Sequence, residues 1–131
     1  MLRTKSILAP KSLGDGIRIS IMSRHTENDG ITPNPEITDE SYDFWIPELA
    51  PPLKLVGAYY RNEVYWDQFK DNYISHIRSN EIYKKVDLLS GLSLDMNVTL
   101  LCVEETPELC HRRLLAEECL RYNYDLDLYI R

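Results

Sequence analysis

The chain has 131 residues, 44% of them hydrophobic and 27% charged, the balance of a folded domain long enough for one core and too short for two. Fifteen Lys and Arg against 21 Asp and Glu give a formal charge of −6, which argues against extensive nucleic-acid binding while leaving room for a local basic pocket. The three cysteines, Cys102, Cys110 and Cys119, are odd in number and crowded into one segment, poor material for a secreted disulfide framework.

The opening MLRTKSILAP carries early cations, but its apolar segment is three residues long before Pro10, far short of a signal-peptide core. No later run approaches the roughly 18 to 20 apolar residues of a membrane span. The expectation is a cytoplasmic protein that does not contact a membrane. GIRISIMSR then alternates, with Ile17, Ile19 and Ile21 facing one way and Arg18, Ser20, Met22 and Arg24 the other. This predicts a strand entered through the turn GDG. Its charged face reads either as the solvent side of an edge strand or as one wall of a pocket. His25 to Glu40 is rich in Asn, Asp, Gly, Pro and Thr and has no apolar period, so a long loop is expected.

Helical pattern begins around Leu53 to Tyr60 and strengthens from Tyr65 to Arg78, where Trp66, Phe69, Tyr73, Ile74 and Ile77 make one apolar stripe. A short helix from Glu81 to Leu89 is expected to end near SGLS. Val98 to Val103 is a nearly unbroken apolar run, the mark of a strand covered on both faces. Thr106 suits an N-cap and Pro107 the first helical position, which predicts a helix over about Pro107 to Tyr122. The tail YDLDLYI alternates again and reads as a terminal strand. Strands separated by helices give an α/β fold, a single compact domain over residues 1–131 with a partly parallel sheet flanked by helices.

The segment TLLCVEETPELCHRRLLAEECL carries the chemistry. In α/β sheets ligands favour the crevice beyond the carboxyl ends of strands, where helix N-termini aim free N–H groups. Cys102 ends such a strand, and Cys110 to Arg113 open the helix that follows. Arg112 falls within the stripe formed by Leu109, Ala116 and Leu120, so it must be held by a carboxylate of the protein or by a bound anion. Cys110 near a helix start is a candidate nucleophile with His111 or His25 as base. A small buried cysteine is the competing reading, and Cys102 and Cys119 are read as core. No metal is expected, because neighbouring helix positions 110 and 111 diverge and no second close-spaced pair completes a zinc site.

Taken in order, DGIRISIMSR, FWIPELAPPLKL, YWDQFKDNYISHI and TLLCVEETPELCHRRLLAE resemble the YeaO-like proteins of the family Domain of Unknown Function 488, over roughly Arg3 to Leu120. The resemblance implies a compact cytosolic α/β domain and marks Arg18, Arg24, Cys102, His111 and Arg112 as motif positions. After Arg24 the chain departs from the family pattern: HTENDGI stands where members often carry a Trp-Pro-Arg-Gly turn.

The leading functional expectation is binding of a small anionic ligand, a nucleotide or other phosphate compound, beyond the strand ends, with Arg112, Arg18 and Arg24 as ligand-binding residues. No Walker or G-x-G-x-x-G sequence assigns a nucleotide class, and any cofactor is unknown. The alternatives are an enzyme with catalytic Cys110 and His111, or a protein-interaction module presenting AYYRNEVYW. A homo-oligomer is compatible with either.

Overall fold

The computed structural model describes residues 1–131. Five strands form one sheet, β1 (Leu2–Ser6), β2 (Ile17–Ser20), β3 (Phe44–Trp45), β4 (Val98–Cys102) and β5 (Leu128–Tyr129), in the order β3-β2-β4-β1-β5. Every pairing is parallel, with Leu2 opposite Val98 and Ile17 opposite Val98 on its other side. Four helices complete the domain: α1 (Leu53–Tyr60), α2 (Trp66–Ile77), α3 (Tyr83–Asp95) and α4 (His111–Cys119). None is long and apolar enough to cross a membrane. This is the single compact α/β domain the sequence predicts, with a sheet that is wholly rather than partly parallel.

Alternation along the strands divides the sheet into two chemistries. Leu2, Ile19, Ile21, Val98 and Leu100 enter the main core with Tyr73 and Ile77 of α2, Val86 and Leu89 of α3, and Leu115, Ala116 and Cys119 of α4. The opposite face presents Lys5, Arg18, Thr99 and Leu101. There Asp15, on a short 3-10 turn between β1 and β2, accepts from Lys5 at 3.1 Å and from Arg18 at 2.5 Å. The Thr99 hydroxyl donates to the Asp15 carbonyl at 2.7 Å. A smaller cluster of Ile7, Met22, Ile37, Leu101, Cys102 and Cys110 lies under the long loop after β2.

Several expectations change in detail. The N-terminus, given no element from sequence, is strand β1. β2 is not an edge strand, since it lies between β3 and β4, and Arg18 is buried rather than solvated. α3 runs through Ser90 and Gly91 to Asp95 instead of stopping near SGLS. The buried hydroxyls of Ser90 and Ser93 find acceptors at Cys119 O and Leu89 O, so polar residues there do not end the helix. α4 starts at His111, four residues later than Pro107. Pro107 instead opens a turn closed by the bond from Cys110 N to its carbonyl at 3.3 Å.

Candidate functional site

The site grows from the carboxyl ends of β2 and β4, two of the three inner strands. Cys102 is the last residue of β4, and Cys110 is the N-cap of α4, with extended backbone at φ −136° and ψ 139°. Because Cys110 precedes the helical turn, its side chain does not diverge from that of His111 as two helical neighbours would. Cys102 Sγ, Cys110 Sγ and an imidazole nitrogen of His111 all lie within 4.8 Å of one another, and all three residues are buried. The premise of divergence, which argued against a metal, therefore does not hold.

Two contacts fix the imidazole. Its Nε2 lies 2.7 Å from the carbonyl of Ile21, so Nε2 carries the proton and donates it. Nδ1 is then free to accept, and it faces Cys102 Sγ at 3.8 Å. The edge of the Tyr73 ring backs the imidazole at a centroid distance of 5.4 Å, and Tyr73 is itself held by its hydroxyl on the Leu49 carbonyl at 2.7 Å. Burial opposes charge on His111, but Cys110, the Ile21 carbonyl and Glu104 outweigh it and raise its pKa.

The two thiols have different partners. Cys102 Sγ donates to Glu104 Oε2 at 3.3 Å, whereas Cys110 Sγ receives Nη1 of Arg112 at 3.4 Å. The Cys102 sulfur and burial push the Cys110 thiol well above its ordinary value, with His111 pulling the other way. Tyr60, at the end of α1, donates its hydroxyl to Glu104 Oε1 at 3.2 Å. Burial and the neighbouring carboxylate push that phenol up, so it stays a donor.

These groups form the floor of a cavity of about 980 Å³, walled by α1 and by the loop from Met22 to Gly30, at the upper end of the range for small-molecule sites. The place matches the crevice expected beyond the strand ends.

The three arginines do not converge there. Arg24 lines the cavity, donating to the Gly30 carbonyl at 2.8 Å. Arg18 is turned to the Asp15 network and donates Nε to the Ser41 carbonyl. Arg112 is fully buried, held by main-chain oxygens of Glu104 at 2.8 Å and Arg131 at 3.2 and 3.4 Å, with no side-chain carboxylate in ion-pairing range. These oxygens, rather than an Asp or Glu side chain, are its partners. His25 bonds Ser20 Oγ at 2.7 Å and packs at a tilt against Trp45 and Tyr42, away from the cavity lining. Leu109, assigned to the buried stripe, is exposed on the turn.

Sequence reading missed Glu104 and Tyr60; it marked Cys102 as a motif position through the family resemblance while reading the residue itself as core. Glu104 had a signal in its position just past a buried strand; Tyr60 had none, since it meets the site from 44 residues away.

A family model described as Active DUF488-N3 subclade matches residues 2–123. The chain belongs to the DUF488 family. The match covers every strand of this DUF488 protein except β5, along with all four helices and the whole cavity floor. No curated protein and no solved structure matches the chain.

Proposed function

We propose that this DUF488 protein is an enzyme that processes a small molecule in the cavity, with Cys110 as nucleophile and His111 as base. The observation that carries this reading is the convergence of Cys102, Cys110 and His111 at the cavity floor. Cys110 is the better nucleophile of the two floor cysteines. It caps α4 and has a guanidinium on its sulfur; because the Cys102 sulfur and burial favour the thiol form, attack requires His111 to take the proton. Cys102 is engaged by Glu104, to which its Sγ donates at 3.3 Å. In the step, the thiol proton passes to His111 Nδ1 while sulfur bonds to an electrophilic centre of the substrate. The leaving group departs with that proton.

A narrower form of the anionic-ligand expectation belongs to the same proposal. Arg24 and Lys54 line the cavity and are the cations available to a phosphate or carboxylate, whereas Arg18 and Arg112 serve the fold. The test is site-resolved alkylation of the full chain by iodoacetamide in the presence of a chelator. Cys110 should label at least ten times faster than core Cys119, with protection by a panel of phosphate compounds that Arg24→Ala weakens. Equal labelling of Cys110 and Cys119 would sink the nucleophile, and protection unchanged in Arg24→Ala would sink the anion subsite.

A further inference from the structure

We infer that Cys102, Cys110 and His111, closed by Glu104, form a binding site for zinc at the cavity floor. The proposal goes beyond the enzyme reading and stands on the donor set alone. A tetrahedral zinc with bonds of about 2.3 Å to sulfur and about 2.0–2.1 Å to nitrogen or oxygen places its donors roughly 3.3–3.8 Å apart. Cys102 Sγ lies 3.8 Å from His111 Nδ1 and 3.3 Å from Glu104 Oε2, and the three Cys and His donors all lie within 4.8 Å of one another. Moves of up to about an ångström bring the two sulfurs and the imidazole to this spacing, and Glu104, already against Cys102, swings in to supply the fourth ligand. Two sulfurs, one imidazole and one carboxylate suit zinc rather than magnesium or calcium.

The outer contacts strengthen the assignment. A metal-bound imidazole almost always donates its second N–H to a carbonyl or carboxylate, and His111 Nε2 donates to Ile21 O at 2.7 Å. Tyr60 holds Glu104 Oε1, leaving Oε2 beside Cys102. Arg112 lies against Cys110 Sγ. Two thiolates and a carboxylate exceed a divalent ion by one negative charge, and the buried Arg112 guanidinium offsets it. Glu104, partly exposed, is the ligand that a cavity ligand or water can displace.

Zinc occupancy and nucleophilic use of Cys110 are alternative states of one cluster, so the metal would switch the thiol off. The experiment titrates the metal-free full chain with Co²⁺ and then Zn²⁺. It reads thiolate-to-cobalt charge transfer and the visible bands of tetrahedral cobalt, with iodoacetamide labelling of Cys110 measured in parallel. One cobalt per chain is expected, displaced by zinc, with affinity falling at least about tenfold in Cys102→Ser and Cys110→Ser and unchanged in Cys119→Ser. Tyr60→Phe should weaken zinc by about tenfold; unchanged affinity there would remove Glu104 from the site. Circular dichroism confirms that each variant is folded. A folded wild type without a charge-transfer band, or a band that survives both floor Cys→Ser changes, overturns the zinc site. Rapid Cys110 labelling without a cobalt band leaves the enzyme reading standing alone; a cobalt band with sluggish labelling in chelator does the reverse.

Discussion

Asp15 and Arg112 are both buried charges, and they are satisfied in opposite ways. Asp15 has two cations and the Ser12 hydroxyl around it. Burial pushes its carboxyl up, but those donors outweigh it and hold it well below the ordinary carboxylate range. A depressed folded pKa stabilises the fold above the unfolded value, about 3.9, and that contribution is lost as pH falls from there toward the folded value. Asp15→Asn leaves Lys5 and Arg18 buried without a counter-charge, so urea unfolding at neutral pH should show a loss of about 3–5 kcal/mol. The variant should also lack this part of the wild-type acid limb. Arg112 rests on main-chain oxygens, and Arg112→Met strips Glu104 and Arg131 of a charged donor, for a loss of about 2–4 kcal/mol in the same assay. That Arg112 had to be held was legible from its place in an apolar stripe. What holds it was not, because main-chain acceptors leave no mark in a sequence.

Elements were legible where one period dominated. β4 shows as an apolar run because helices cover one face and the long loop the other, and α2 shows because Phe69, Tyr73 and Ile77 all face the core. β1 escaped notice because Arg3 and Lys5 interrupt Leu2 and Thr4, and its burial comes from its neighbours β4 and β5 on either side. The start of α4 was misplaced because Thr106-Pro107 serves a turn as well as it serves a helix. That four-residue difference decides the site, since it puts Cys110 at the N-cap in extended conformation beside His111. The entry to β2 depends on Gly16, at φ +63°, where an added Cβ would sit 2.0 Å from the Asn97 carbonyl oxygen. Gly16→Ala should therefore cost at least the roughly 1–3 kcal/mol of a strained backbone position, plus the clash, measured by thermal unfolding. Between helices, Glu118 of α4 accepts from Arg78 at 2.6 Å and from Arg121 at 2.8 Å. Glu118→Ala should lower stability by about 1.5–3 kcal/mol in urea unfolding, and an unchanged midpoint would show that this link is not stabilising.

At the scale of the molecule, the strand order β3-β2-β4-β1-β5 brings the ends of β2 and β4 side by side, and α1 with the loop after β2 encloses the space above them. The crevice and its Cys-His address could be read from strand and helix order. Strand neighbours could not, and with them went the expectation of three converging arginines, because side-chain parity turns Arg18 to the Asp15 face. Both functional proposals depend on one feature of the floor, an imidazole whose Nδ1 is free beside two thiols while Nε2–H is held by Ile21. Long-range ¹H–¹⁵N spectra of metal-free protein at mildly alkaline pH read that feature directly. The expected result for His111 is a single neutral tautomer with the proton on Nε2, a bare Nδ1, and an Nδ1 resonance that shifts on adding zinc. A proton on Nδ1, or a rapidly averaging imidazole that zinc does not perturb, would contradict the arrangement on which the site rests.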